Sequence, residues 1–426
     1  MGDCNMTFIN EKYIKKYLII IIVIFFSVSL ITVLSWGNST LLGSLETFDN
    51  DDVNYIRSAW TLVEKGVITY ENTMEPTVFI MPGLTYVLAL FTLVFGKIQG
   101  IVAFRIFQVG LQSLSIYILF LVAKKVFNSK VALITCFLDA LYIVETYVTS
   151  LVLMETMFKF LFLLLIYLSI VAVEKNTMKY YVEAGIVWAL GSMLRPTIAV
   201  YPLIIIIAWI KNKYHIKDMI KYTSVVFLIF CIVMGPWWIR NYREFNEFIP
   251  FTKSSGKPFL QGTFLNYDES GGMGVPYEEG VGLIDSNEKN FHMGIERLKT
   301  YGKKEPIKYF LWYTVGKTFY FWNDSFYWND EIGMVVSMVE HYIILITGVI
   351  GIISLRGNKN TNVTMILLTI LLMNLVYLPY FTFCRYSYPL MPLMMIFSAK
   401  AIGDFVKKKI SMNSNVEKPL KILRKL

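Results

Sequence analysis

The chain has 426 residues, of which 55% are hydrophobic and 16% aromatic, and its formal net charge is +9. So apolar a composition excludes an ordinary soluble domain, where apolar residues make up half at most, and points to a polytopic membrane protein. The lysines and arginines sit in short clusters between apolar runs and do not alternate with aromatics on a stacking surface, so the charge reads as membrane topology and no nucleic-acid partner is expected.

Residues 17–36 form the first apolar run, preceded by Lys12, Lys15 and Lys16 and followed by no small-residue cleavage site, which reads as an uncleaved anchor with residues 1–16 in the cytoplasm. Beyond it lie Asp49, Asp51 and Asp52. A charge at membrane depth costs about 2.5–3.5 kcal/mol on insertion scales, so this acidic cluster belongs at the water boundary or in a wet cavity. Val53, Ile56, Ala59, Trp60 and Val63 then recur at helical spacing, a stripe suited to lying along the membrane surface. The next apolar block is broken at its start by Pro82-Gly83. If it spanned the membrane, Lys124 and Lys125 would face outward against the positive-inside rule, so residues 37–100 are expected to form one external loop with membrane-lying helices.

The run at 101–123 leads inward, 131–149 outward and 157–173 inward. Runs at 180–194 and 197–210 meet outside at Arg195-Pro196 and return to Lys211, Lys213, Lys217 and Lys221. The run at 222–239 opens a second external segment, about 240–331, which holds Gly-rich Ser270-Gly-Gly-Met-Gly274 and an aromatic stretch from Tyr309 to Trp328. Runs at 333–355, 363–382 and 386–402 complete an all-α chain of about ten spans, and residues 405–426 are a basic, cytoplasmic tail.

With this topology Asp49, Asp51, Asp52, Arg105, Glu155, Arg195, Arg240 and Arg385 all fall at the outer ends of spans. Arginine matches phosphate with bidentate geometry and a carboxylate can take a proton from an attacking hydroxyl, so the set suits an anionic lipid head group acted on by a general base. Singly, each arginine also reads as a snorkelling interfacial residue, and Glu155 with Lys159 as a simple i,i+4 pair. There is no Walker A loop, no GxGxxG opening a helix, no HExxH and no GxSxG. Cys4, Cys136, Cys231 and Cys384 have no metal spacing, so no metal site and no cofactor is assigned, although a divalent metal is not readable either way.

Several landmarks in order resemble a known family. Asp51-Asp52-Val-Asn-Tyr55 resembles an Asp-Glu-x-x-Tyr loop, Pro82-Gly-Leu-Thr-Tyr86 a Pro-rich membrane-lying helix, and Arg105-Ile-Phe-Gln108 through Ala123-Lys-Lys-Val-Phe127 the helix after it. Met154-Glu-Thr-Met-Phe158, Leu194-Arg-Pro196, Pro236-Trp-Trp-Ile-Arg-Asn-Tyr242 and Arg385-Tyr-Ser-Tyr-Pro389 follow. Over residues 17–404 the chain is similar to the GT-C membrane glycosyltransferases of the protein O-mannosyltransferase and aminoarabinose lipid A transferase type, glycosyltransferase family 39 and its relatives. The resemblance implies inverting transfer of a sugar from a polyprenyl-phosphate donor to an unidentified acceptor (protein, lipid or envelope glycan) on the outer face of the cell membrane. Asp51 would be the base, with Asp52 its partner, standing where the family usually has Glu, and Asp49 a competitor for the role. Tyr55, Arg105, Glu155, Arg195, Arg240 and Arg385 would bind substrate. The competing expectation is a transporter or flippase of the same lipid-linked sugars.

Overall fold

The computed structural model describes residues 11–71, 74–268 and 282–423. Cys4 and the Gly-rich stretch around Gly271 lie outside the described residues. The long helices are α1 (Glu11–Trp36), then, after the short α2 (Asp51–Lys65) and α3 (Gly83–Phe95), α4 (Lys97–Val126). They continue with α5 (Ser129–Leu141), α6 (Ile143–Ser150), α7 (Glu155–Lys175), α8 (Met178–Ser192), α9 (Pro202–Lys211) and α10 (Ile216–Phe245). The second expected external segment folds into α11 (Gly256–Gly262), α12 (Leu283–Arg297), α13 (Pro306–Leu311) and α14 (Lys317–Trp322). The chain closes with α15 (Glu331–Ser354), α16 (Thr361–Tyr377), α17 (Cys384–Ser387) and α18 (Met391–Leu423). The described residues contain no β-strand.

Each expected span falls on a helix, but the spans are not of one kind. Six helices are long and apolar enough to cross a membrane, and α5 with α6 makes a seventh if the pair, bent by 55° at Tyr142, is taken as one span. Of the about ten expected spans, those on α8, the Pro196–Lys211 stretch and α16 are shorter: at about 1.5 Å per residue they fall short of a 30 Å hydrocarbon core. The protein is a multi-pass, all-α membrane protein. The largest buried cluster runs through α4, α5, α7, α8, α9, α16 and α18, while α1, α10 and α15 leave most of their apolar surface exposed, as lipid-facing helices do.

Helix α2 begins where Asn50 caps it, its side chain accepting from the Asp51 amide at 2.7 Å, and ends at Gly66, whose φ of 73° is the left-handed conformation of a helix C-terminus. Asp51 and Asp52 sit in its first turn, where the helix dipole favours negative charge. The apolar stripe does not lie on the membrane as expected: Val53, Ile56 and Ala59 are fully buried, and α2 packs against α3. Gly83 at the start of α3 meets the turn after α8: its amide donates to the Met193 carbonyl, and a Cβ there would lie 2.7 Å from that oxygen.

Candidate active site

Four of the expected site residues form one connected chain of charge. Arg385 donates from Nη1 to Asp51 Oδ2 at 2.8 Å and from Nε to Glu155 Oε1, and Arg195 donates from Nη2 to the same Glu155 oxygen at 2.6 Å. The helices that meet here explain the convergence: Asp51 and Glu155 begin α2 and α7, Arg385 lies on α17, and Arg195 ends the turn after α8. Glu155 is 0% exposed and the Arg385 side chain 11%, whereas Asp51 keeps 47% of its side-chain surface open, so Asp51 is the carboxylate that a ligand can reach. Arg195 also lies over the rings of Phe158 and Tyr386, at 5.4 and 5.6 Å from their centroids, which holds its plane in place. Its Nη1 and Glu155 Oε2 have no hydrogen-bond partner among the described residues.

Tyr70, which carries no signal in the sequence, completes the first carboxylate. Its hydroxyl donates to Asp51 Oδ1 at 2.6 Å, and its ring stacks on Phe79 and meets Tyr55 edge-on. Burial pushes the Asp51 carboxyl up, but the Arg385 charge and the Tyr70 and Arg385 hydrogen bonds outweigh it and hold the group below the usual carboxylate range. Burial and the Asp51 charge drive Tyr70 upward, so it stays a neutral donor. Lys257 lies close enough to help hold Asp51 ionised. Tyr55, buried between Asp51 and the arginines, is likewise kept neutral by burial.

The other expected residues do different work. Asp52 is fully buried, and its carboxylate accepts the amides of Leu42 (2.7 Å), Gly43 (3.3 Å) and Val53 (2.8 Å). Burial raises its pKa against these amides, and with every contact spent on backbone it pins the preceding loop to α2 and is no partner for Asp51. Asp49 is exposed and accepts from the Ser44 amide at 2.9 Å, an interaction that lowers its pKa and closes a local turn. Arg105 is buried and donates to Ser150 O (2.8 Å) and Asn38 Oδ1 (2.9 Å). Arg240 donates to Thr77 O (2.7 Å) and Ile68 O (3.4 Å) and lies over Trp237. Both brace loops outside the Asp51 cluster, Arg240 through two backbone carbonyls and Arg105 through one backbone carbonyl and the Asn38 side chain, with Arg105 Nη2 left without a partner among the described residues.

Below the cluster lies a second ionic layer that sequence reasoning missed. Lys159 does not pair with Glu155 one turn away; its Nζ meets Asp139 Oδ1 at 2.9 Å and Glu145 Oε1 at 2.7 Å, all three fully buried. Tyr388 and Gln112 donate to Glu145 Oε2 at 2.6 and 2.5 Å. Because Glu155 and Lys159 share α7, and Arg385 and Tyr388 lie three residues apart, the lower layer fixes the helices that present the upper one. The signal for it was present as charges inside an otherwise apolar run. No three His, Cys, Asp or Glu side chains among the described residues converge closely enough to hold a metal ion.

Residues 76–239 match the family model described as dolichyl-phosphate-mannose-protein mannosyltransferase. No curated protein sequence matches the chain. The structure resembles that of the apo Archaeoglobus fulgidus oligosaccharyltransferase, with a TM-score of 0.59 at 15% identity over 96% of this chain and 52% of that one. It resembles the same organism's oligosaccharyltransferase AglB in complex with an inhibitory peptide and a dolichol-phosphate (TM-score 0.56, 13% identity, 96% and 52%). It also resembles ArnT from Cupriavidus metallidurans bound to undecaprenyl phosphate (0.57, 12%, 92% and 62%). The chain spans about half the length of the archaeal enzyme. Its fold is that of the GT-C membrane glycosyltransferases.

Proposed function

We propose that this protein transfers a sugar from a polyprenyl-phosphate carrier to an acceptor hydroxyl or amide at the outer face of the membrane, with inversion at the anomeric carbon. The observation that carries this reading is the unbroken line Asp51–Arg385–Glu155–Arg195, which sets one reachable, ionised carboxylate beside two guanidiniums. Neighbours in fold that hold dolichol-phosphate and undecaprenyl phosphate support a lipid-phosphate donor.

In this scheme the acceptor oxygen or nitrogen attacks the anomeric carbon while Asp51 takes its proton. The bond from that carbon to the phosphate oxygen breaks, and the phosphate leaves with the electron pair. Arg195, with Nη1 unspent on protein, and Arg385 meet the charge that grows on the leaving phosphate. Tyr70 and Arg385 hold Asp51 in one orientation, and Glu155 does the same for both arginines. The whole of residues 17–404 forms the transferase, and residues 1–16 and 405–426 face the cytoplasm.

The test is reconstitution of the full chain in proteoliposomes with a set of polyprenyl-phosphate sugars and a membrane extract as acceptor. Mass spectrometry should find free polyprenyl phosphate and a newly glycosylated acceptor. A donor that crosses the bilayer with its sugar intact, and is never cleaved, would mean transport instead.

A further inference from the structure

A groove of about 510 Å³ lies between α1, the α5–α6 bend and α15, and none of its lining residues belongs to the Asp51 cluster. Ile24, Phe25 and Val28 of α1 supply one apolar wall, Phe137 belongs to another, and Glu340 of α15 lines the space between. Ile24 and Val28 are exposed on the outside of the bundle, so the groove opens toward the bilayer.

Glu340 is the anomaly. It stands nine residues inside α15, about 13 Å along a helix apolar enough to span the membrane. One of its oxygens accepts the Ile143 amide at 2.9 Å, an amide left without a partner in the preceding turn by the 55° break. No cation pairs with it among the described residues, and the neighbouring His341 is tied to the Tyr142 hydroxyl (3.0 Å) and the Trp322 carbonyl (2.8 Å). Capping an amide requires only a neutral carbonyl, which glutamine would provide. An ionisable carboxyl is therefore not explained by the fold, and such a side chain inside a span ordinarily marks a functional site with a partner.

We propose that this groove binds a phospholipid with a primary-amine head group, its ammonium on Glu340 and one acyl chain along Ile24 to Val28. The two halves of the groove argue for one amphiphile. The carboxylate calls for a cation that can donate hydrogen bonds, and the apolar wall open to the bilayer calls for a chain already dissolved there. A primary ammonium has three N–H donors; a choline head has none, so the site discriminates between two zwitterionic lipids of the same net charge. The proposal is independent of glycosyl transfer.

The experiment is native mass spectrometry of the full chain released from nanodiscs made of phosphatidylethanolamine, phosphatidylcholine and phosphatidylglycerol in equal parts. The wild-type protein should retain phosphatidylethanolamine over phosphatidylcholine by about tenfold, the worth of one charge-assisted hydrogen-bonded contact. Glu340→Gln keeps the acceptor for Ile143 and should lose that preference with the thermal midpoint little changed. Val28→Trp, which fills the chain wall and leaves Glu340 in place, should lower retention of phosphatidylethanolamine itself. Equal retention of the two zwitterionic lipids by the wild type would overturn the proposal without recourse to any variant. So would a preference that survives in Glu340→Gln.

Discussion

Arg385 and Asp51, 334 positions apart in the sequence, meet through Nη1 and Oδ2 at 2.8 Å, and this contact joins the last part of the chain to α2. It also sets the protonation of Asp51, since burial alone would raise that carboxyl and the Arg385 charge does most to lower it. A carboxyl held low is ionised above its folded pKa and loses its charge only as pH falls through that value. Arg385→Gln removes the charge and leaves the burial, so the acid limb of kcat/KM should move to higher pH. Steady-state profiles of both proteins would show it, and superimposable acid limbs would detach Asp51 from the rate.

Arg195 should carry the donor phosphate. Loss of a charge-assisted contact costs about 1.5–3 kcal/mol, so Arg195→Ala is expected to weaken binding of a lipid-phosphate analogue by about ten- to a hundredfold. Arg195→Lys should do nearly as badly, because a single ammonium cannot serve both Glu155 and a phosphate as the guanidinium fork can. Titration in nanodiscs, with thermal midpoints as a control for folding, separates the two variants.

Arg240 should behave in the opposite way. Its guanidinium holds the Thr77 and Ile68 carbonyls, so Arg240→Ala should destabilise the protein by at least about 1.5 kcal/mol while donor affinity in the folded fraction stays unchanged. A loss of donor affinity with normal stability would restore Arg240 to the phosphate site.

Asp52 and Asp51 are adjacent but should fail differently. Asp52→Asn offers one acceptor oxygen where the carboxylate offered two to three amides, which should cost about 1–3 kcal/mol of stability with turnover per folded molecule kept. Thermal unfolding alongside the activity assay distinguishes this from loss of a base.

How far the site was legible follows from how local its causes are. Helix α2 was readable because the spacing of Val53, Ile56, Ala59, Trp60 and Val63 acts within a few residues. The spans at α1, α4 and α7 were readable because length and hydropathy decide them. The arginines were not separable: in the sequence, Arg105, Arg195 and Arg240 all fall at ends of expected spans. Only the packing of the loops at 38, 77 and 150 shows that Arg105 and Arg240 hold those loops and lie outside the Asp51 cluster. The alternative pairing of Lys159 with Glu155 fails because i,i+4 spacing is a surface rule, and in a buried layer the two acids brought in by α5 and α6 outcompete it. Tyr70 had no pattern at all, being a loop tyrosine whose role exists only once α17 brings Arg385 to Asp51.

The central claim is that Asp51 is the base of a sugar transfer. The most direct measurement pairs single-turnover cleavage of a polyprenyl-phosphate sugar with equilibrium binding of the same donor, both for Asp51→Asn in nanodiscs. Removal of a general base typically costs 10²- to 10⁴-fold, so cleavage should fall by about that factor while donor affinity changes little. Near-normal cleavage by Asp51→Asn would contradict the account.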